Sequence, residues 1–301
     1  MTSAEHPSAG GGTVLAFLNE VAGGRRLLTA VRERVAAGAQ HVALVAPQNQ
    51  PVAGQIVDVG EIRDAALSRV EVTQDVLHEF GIESTATILD PDPPLALDDA
   101  VRAFSPSEIL ISALAESRFG LARKDLIEWA RSRYDVPVEH IPVRIEDDAV
   151  RWDLTHTLVV ATQTVNAPDL VRHLVDRHGE QPHRYTFIAP RSGEASREEI
   201  CQRLAATLAV LYRSEIDATG QPMSPEPFAA IDNALHHYRV DEVLVSTFGR
   251  GSKWVEEGLL DRIGEITDKP VEHFESGGDA SSGAERRKPA AAGAHAVGGT
   301  A

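Results

Sequence analysis

Glu108–Ser112 (EILIS) and Glu242–Ser246 (EVLVS) are two copies of one apolar segment, 134 positions apart. A second pair follows them, because Asp135–Ile141 (DVPVEHI) and Asp268–Phe274 (DKPVEHF) lie 133 positions apart. Segments that recur in the same order at nearly the same spacing indicate that the chain contains two copies of one domain. Each half of the chain is therefore expected to form one domain with the same fold.

A third pair lies earlier in each copy and helps to set the boundaries of the repeats. Leu44–Pro47 (LVAP) corresponds to Phe187–Pro190 (FIAP), 143 positions later. With the three pairs aligned, the first repeat covers residues 13–143, a linker covers 144–154, and the second repeat covers 155–274. Each repeat then has the usual size of a single domain.

The two ends of the chain differ in composition from the repeats. Residues 1–12 are polar and rich in glycine, and residues 275–301 are rich in Ala, Gly and Ser. Segments of this kind bury too little apolar surface to offset the entropy of the unfolded chain. We therefore predict a disordered leader over 1–12 and a disordered tail over 275–301.

The bulk composition limits the classes of function. Of the 301 residues, 43% are hydrophobic and 25% are charged, which is typical of a globular protein with enough apolar residues for two cores. The excess of 45 acidic over 29 basic residues disfavours nucleic acid as a partner. The single cysteine, Cys201, cannot form an internal disulfide and points to a cytoplasmic location. No apolar run reaches the roughly 18 residues of a membrane span, so a membrane partner is not expected.

Short apolar runs alternate with helix-period segments in both repeats, which predicts a doubly wound α/β fold: five strands per repeat in a mainly parallel sheet, with helices on both faces. The predicted strands are 14–18, 41–46, 83–89, 108–112 and 136–142, then 157–162, 185–189, 214–219, 242–246 and 270–274. The predicted helices are 25–37, 61–80, 95–104 and 123–134, then 167–178, 197–213, 225–237 and 254–267. In such sheets ligands bind beyond the carboxyl ends of the strands, where the strand order reverses.

Two helix starts in the second repeat carry capping patterns. Ser196 and Glu199 have the spacing of a capping box, and Asn166 with Asp169 offers a similar start for the preceding helix. Cys201 lies beside Ile200 on the amphipathic helix that Ser196 starts. A packed thiol is the expected role of Cys201, since a redox sensor needs exposure and a lowered pKa.

The loop after the fourth strand of the second repeat, Ser246–Lys253 (STFGRGSK), is the main candidate for a ligand site. Gly249 and Gly251 permit tight turns and close approach of a ligand to the backbone. Hydroxyl side chains and the cations Arg250 and Lys253 add donors and positive charge, and a helix start follows. The pattern fits a phosphate cradle; the alternative is an ordinary strand-to-helix loop with solvated cations.

The corresponding loop of the first repeat, residues 113–120 (ALAESRFG), has a weaker pattern. It lacks the paired glycines, and Glu116 places a charge there that repels phosphate. We therefore expect a small-molecule site in the second repeat and not in the first.

Two α/β repeats in tandem, with a loop such as Ser246–Lys253 after the fourth strand, resemble tandem universal stress proteins. Members of that family that bind ATP carry a hydrophobic-Gly-x-x-Gly motif after this strand and a Gly-Ser or Gly-Thr pair further on. Here Gly249 fills the second glycine position, but Ser246 stands at the first, and Leu259 and Leu260 stand at the final pair. The resemblance is thus to the tandem form of the family with degenerate ATP-binding motifs.

The resemblance implies a bound ligand, ATP or another adenine nucleotide, in the second repeat. The aspartate that follows the first strand in the ATP-binding members is replaced by Asn19 in the first repeat and by Gln163 in the second. The residues expected to bind the nucleotide are Gln163, Val245, Ser246, Thr247, Gly249, Arg250, Gly251, Ser252 and Lys253.

The last strand of each repeat is expected to join the two halves. By resemblance to the family, the strands 136–141 and 269–274 should pair antiparallel and form a pseudo-dimer within one chain, with a homodimer of chains as a further option. Pairing of this kind satisfies two open sheet edges. The alternative use of these strands is a metal site built from their repeated Glu-His pairs, Glu139-His140 and Glu272-His273.

Three hypotheses of function follow. The first is a non-catalytic stress or signalling module with at most one adenine-nucleotide site, in the second repeat. The second is a module of the same fold that binds no nucleotide and recruits a protein partner. The third is an enzyme of the wider adenine-nucleotide hydrolase group, but neither its His-x-Gly-His nor its Ser-Gly-Gly-x-Asp-Ser signature is present.

Overall fold

A computed structural model describes residues 11–19, 22–49, 59–113, 118–119, 124–142, 154–191, 195–223, 226–249, 253–277 and 285–287. The predicted leader, apart from residues 11 and 12, lies outside the described residues. The predicted linker does too, apart from residue 154.

The first repeat forms a sheet of five parallel strands in the order β3-β2-β1-β4-β7. Its elements are β1 (Thr13–Leu18), α1 (Arg25–Ala36), β2 (His41–Pro47), α2 (Val59–Glu79), β3 (Thr85–Leu89), α3 (Pro93–Phe104), β4 (Glu108–Ala113), β5 (Arg118–Phe119), β6 (Lys124–Asp125), α4 (Leu126–Arg133) and β7 (Val138–Pro142). The two short strands β5 and β6 pair with each other antiparallel and stand outside the main sheet.

The second repeat has the same strand order, β10-β9-β8-β11-β12, and adds β13 antiparallel at its edge. Its elements are β8 (Thr155–Val160), α5 (Pro168–Glu180), β9 (His183–Pro190), α6 (Arg197–Arg213), β10 (Ala218–Met223), α7 (Pro227–His237), β11 (Glu242–Phe248), α8 (Lys253–Glu256), α9 (Leu259–Ile266), β12 (Val271–Ser276) and β13 (Glu285–Arg287). The predicted fold class is confirmed: the chain is α/β, and each of its two sheets contains five parallel strands in the same order.

Helices cover both faces of each sheet, which explains the continuous apolar runs. In β4, Leu110 packs in the core on one face, whereas its neighbours Ile109 and Ile111 pack in the core on the other. All three side chains are fully buried. A strand that is covered on both sides has no need for alternating polar residues.

Three predicted element boundaries differ from the structure for local reasons. The strand predicted at 214–219 begins at Ala218, because Glu215 is left-handed (φ 60°) and the amide of Ile216 bonds to Leu211 O to close α6. The helix predicted at 254–267 is broken at Gly258, which is also left-handed (φ 69°). The helix predicted at 123–134 begins at Leu126, because the Asp125 carboxylate caps it.

The two repeats are joined through α2 and α6, not through their last strands. Residues of both helices belong to one hydrophobic cluster that runs through both repeats. β7 lies at the edge of its sheet beside β4, and the outer edge of β12 pairs with β13. The predicted antiparallel pairing of 136–141 with 269–274 is therefore wrong for the described residues. Burial of apolar side chains between α2 and α6 favours this contact.

Ion pairs frame the contact between α2 and α6. The Arg197 guanidinium on α6 donates to both carboxylate oxygens of Glu71 on α2, at 2.8 and 3.0 Å. Asp64 on α2 pairs with Arg191 at 2.7 Å and with Arg197 at 3.1 Å. Because opposite charges must lie next to each other, these ion pairs favour one relative position of α2 and α6.

The tail is partly structured. The predicted disordered segment begins at residue 275, but β12 continues to Ser276, and Glu285–Arg287 form β13. The register pairs Val271 with Arg287 and His273 with Glu285. An edge strand exposes unpaired N–H and C=O groups, so the added strand satisfies them locally. The rest of the tail, apart from Gly277, lies outside the described residues.

The glutamates of the repeated segments hold each sheet to its first helix. Arg34 on α1 pairs with Glu108 at 2.8 Å and with Glu139. In the second repeat Arg177 on α5 pairs with Glu242 at 2.5 Å and with Glu272 at 2.9 Å. These Arg–Glu clusters lie near the amino ends of the strands, opposite the ligand edge, so the repeated glutamates have a structural role. Glu139 and Glu272, the glutamates of the alternative metal site, are thus paired with arginines.

Candidate functional site

The candidate site of the second repeat lies at the carboxyl ends of β8 and β11, where the strand order reverses. β8 is the central strand and pairs with β9 on one side and β11 on the other. Gln163 follows β8 and is exposed, while Ser246 and Thr247 lie near the end of β11 and are buried. The structure therefore places Gln163 just beyond one of the two strands that bound the switch point, and Ser246 on the other.

Ser246 has a buried hydroxyl without a hydrogen-bond partner among the described residues. Its side chain is 1% exposed, and its carbonyl oxygen accepts from Thr164 Oγ1 at 3.0 Å. Leaving a buried polar group unsatisfied costs about 1–3 kcal/mol. A hydroxyl in this state at a switch point is a natural donor for a ligand or a bound water.

The side chains of Thr247 and Val245 make contacts that stabilise the fold. The hydroxyl of Thr247 is hydrogen-bonded to Nε2 of His273 on β12 at 2.8 Å, and burial lowers the pKa of His273. Val245 packs into the core with α7 and α9. Both residues therefore support the strand ends. Among the described residues of the predicted set, Gln163, Ser246 and Gly249 remain as candidates for ligand contact.

Gly249 has the backbone conformation that the predicted loop needs. Its φ is +63°, a region that L-residues seldom adopt, and no described atom lies within 4 Å of the position a Cβ would take. Arg250, Gly251 and Ser252 lie outside the described residues. Lys253 begins α8, and its side chain is also outside the description.

A carboxylate lies beside this crevice at the start of α5. Asp169 accepts from Ser276 Oγ at 3.0 Å and from the amide of Gly277 at 2.6 Å. Although burial favours the neutral acid, these hydrogen bonds lower the pKa of Asp169 below its ordinary value. The predicted cap at Asn166 is wrong, because the N-cap residue is Ala167 and Pro168 begins the helix.

The corresponding crevice of the first repeat holds an arginine. Arg69, on α2, is fully buried, and its guanidinium donates to Pro47 O at 2.9 Å, to Asn49 Oδ1 at 2.8 Å and to Asn19 O. The amide of Asn19 in turn donates to Ser112 O at 3.0 Å. A cationic side chain thus occupies the carboxyl ends of β1 and β2. The sequence analysis did not identify Arg69, although Ala65, Ala66 and Val72 at helical spacing place it on a largely apolar face.

The remaining candidates have structural roles. His140 Nε2 lies 3.2 Å from Ala113 O, and Cys201 is buried on α6 with Sγ 3.6 Å from Glu71. Burial raises the pKa of Cys201 to about 12, so the predicted packed thiol is confirmed. Within the described ranges, no group of three or more His, Cys, Asp or Glu side chains is arranged to hold a metal ion. None of the described helices combines the length and apolar character of a transmembrane helix.

Comparison with solved structures finds similar chains, whereas comparison with family models and curated proteins finds none. The crystal structure of a universal stress protein from Archaeoglobus fulgidus DSM 4304 is similar over 88% of this chain and 97% of that one, with 14% sequence identity and a TM-score of 0.35. The two sheets share one order of parallel strands, so the same α/β fold occurs twice in the chain.

Proposed function

We propose that this chain is a non-catalytic, cytoplasmic stress or signalling module that binds ATP or another adenine nucleotide in its second repeat. The observation that supports this most directly is the buried, unpartnered hydroxyl of Ser246 at the switch point. The left-handed Gly249 and the exposed amide of Gln163 lie on the same edge of the sheet. Ligand binding would shift the population of protein-binding states and would not involve turnover.

Each group has a role that suits a nucleotide. The Gln163 amide can both donate to and accept from ribose hydroxyls or the adenine edge. The Ser246 hydroxyl can donate to a ribose or phosphate oxygen, and the backbone at Gly249 permits close approach of the phosphates. Arg250, Gly251, Ser252 and Lys253 continue the same loop and complete the proposed cradle.

Nucleotide binding is tested with the full chain and a matched pair of glycine variants. ATP should raise the melting temperature of the wild type, and Gly249→Val should weaken ATP affinity by roughly tenfold or more, because a β-branched residue disfavours φ near +63°. Gly81→Val is the control, since Gly81 has a similar φ of +72° at the end of α2, far from the crevice. Equal ATP affinity in both variants, measured by calorimetry, would contradict the proposal.

The alternative is a module of the same fold that binds a protein and no nucleotide. The carboxylate of Asp169 favours it, because a negative charge beside the crevice opposes phosphate. The exposed aromatic ring of Phe248 beside the crevice also favours it. An unchanged melting temperature at millimolar ATP, together with no nucleotide in native mass spectra of the purified chain, would select this alternative.

A further inference from the structure

We propose that the outer edge of β7 is a docking site for an extended, arginine-containing segment of a partner protein. β7 (Val138–Pro142) is the last strand of its sheet, and no strand of the described residues pairs with its outer side. A bound segment would add an antiparallel sixth strand through backbone hydrogen bonds. The edge belongs to the first repeat, so the proposal does not depend on the nucleotide crevice of the second.

The second repeat shows which kind of strand covers such an edge. The segment Pro137–His140 (PVEH) recurs as Pro270–His273, and there the outer edge of the sheet pairs with β13 (Glu285–Arg287). The antiparallel register is Val271 with Arg287, Glu272 with Arg286 and His273 with Glu285. The chain therefore contains an example of the proposed ligand, a Glu-Arg-Arg strand on a Val-Glu-His edge.

The two edges present their backbone groups in the same way. The amide of Ile109 on β4 donates to Pro137 O at 2.9 Å, and the corresponding bond between β11 and β12 is also 2.9 Å long. Along a parallel pair, alternate residues bond to one neighbour, so the N–H and C=O groups of Val138 and His140 point away from β4. The corresponding residues of β12 are those that lie opposite the two ends of β13. A strand like β13 therefore fits β7 in the same register.

One side chain already contacts this edge. Arg131 on α4 donates from Nε to Val138 O at 3.2 Å, which confirms that this carbonyl faces outward. Arg131 is exposed, and a carbonyl oxygen has two lone pairs, so the contact leaves room for a strand. At the spacing of 133 positions the counterpart of Arg131 is Gly264, which has no side chain. The first edge thus has an exposed arginine where the second has a strand.

The charge of the edge favours an arginine in the incoming strand. The side chain of Glu139 is 45% exposed, whereas that of its counterpart Glu272 is 7% exposed. Arg34 pairs with Glu139, and the carboxylate retains lone pairs for a second donor. An arginine directly across from it, as Arg286 is across from Glu272, would form a favourable cross-strand pair. The excess of 45 acidic over 29 basic residues in the chain also attracts a basic segment.

The test uses the full chain and a synthetic peptide with the sequence of residues 283–289 (GAERRKP). Because the chain's own β13 pairs with β12, the added peptide should bind at β7. Amide hydrogen exchange, measured by NMR, should then slow by roughly tenfold or more at Val138 and His140. N-methylation of the peptide at the positions of Glu285 and Arg287 should weaken binding by roughly tenfold or more, because it removes two backbone donors.

A matched pair of arginine variants checks the position of the peptide. Arg131→Ala should strengthen peptide binding, because it removes the side chain that competes for Val138 O. Arg133→Ala removes the same charge from the same helix, but Arg133 pairs with Asp98. This control should leave the peptide affinity unchanged.

Any of three results would overturn the proposal. One is the absence of saturable peptide binding at millimolar concentration. Another is a response at Val271 and His273 in place of Val138 and His140, since the peptide would then be exchanging with β13. The third is slow exchange at Val138 and His140 in the free chain, which would show that the chain itself or a second copy already covers this edge.

Discussion

Gly220 shows how a single residue sets the packing of the second repeat. It lies in β10, and a Cβ added there would stand 2.8 Å from Phe187 Cβ and 2.9 Å from Leu204 Cδ1. Phe187 Cβ is fixed to the neighbouring strand β9 and cannot move away as the end of a flexible side chain can. The absence of a side chain at residue 220 therefore permits the close approach of α6 to the sheet.

We expect Gly220→Ala to lower the free energy of unfolding by about 1–3 kcal/mol, because it overpacks the core. The measurement is the urea midpoint of the full chain. Gly179→Ala is the control, since Gly179 lies in α5 and no described atom lies within 4 Å of its added Cβ. The control should be stabilised by about 0.5–1 kcal/mol. A neutral Gly220→Ala would show that α6 can move away without cost.

At the scale of elements, the Arg–Glu cluster connects α5 to β11 and β12. Although burial favours the neutral acid, hydrogen bonds from His183, Thr157 and Arg177 lower the pKa of Glu242 to about 2. The pKa of Glu272 is also lowered, because His173 and Arg177 offset the effect of burial. The native state thus favours the ionised form of both side chains, relative to the unfolded chain.

A lowered pKa fixes the direction of the pH effect. The contribution of Glu242 to stability is fully present above its unfolded pKa of 4.5 and is lost as the pH falls towards about 2. Glu242→Gln should therefore destabilise the chain at pH 7 and reduce the loss of stability between pH 5 and pH 2.5. Urea midpoints across this range measure the effect. Glu265→Gln, an exposed change on α9, is the control and should retain the wild-type slope.

At the scale of the whole molecule, α2 and α6 bring the two repeats into one core. Apolar residues of both helices share a cluster with residues from both sheets. The partners Glu71 and Arg197 that frame this contact are 126 positions apart in the chain. A shared core of this kind predicts that the two repeats unfold together in one cooperative transition.

Charge reversal tests whether this contact has the orientation seen in the structure. Glu71→Arg and Arg197→Glu should each lower the free energy of unfolding by about 1–3 kcal/mol, because each places like charges together at a partly buried site. The double variant restores opposite charges and should recover part of this loss. Additive losses in the double-mutant cycle would show that the two side chains do not interact in solution.

Several features were predictable because neighbouring residues encode them. The paired segments Glu108–Ser112 and Glu242–Ser246 revealed the tandem repeat, and their continuous apolar character indicated strands covered on both faces. The capping box of Ser196 and Glu199 is present as predicted. Local hydrogen bonding and hydrophobic periodicity depend on residues a few positions apart, so they can be read directly from the chain.

Only the tertiary structure showed which residues of distant elements contact one another. In the structure the repeats contact each other through α2 and α6, and Arg69 occupies the crevice of the first repeat. The repeated glutamates form ion pairs with arginines. The tertiary structure also places Arg25 and Arg26 beside the second repeat. These contacts depend on the shape and charge of surfaces far apart in the chain, and local periodicity is the same whichever partner covers a helix.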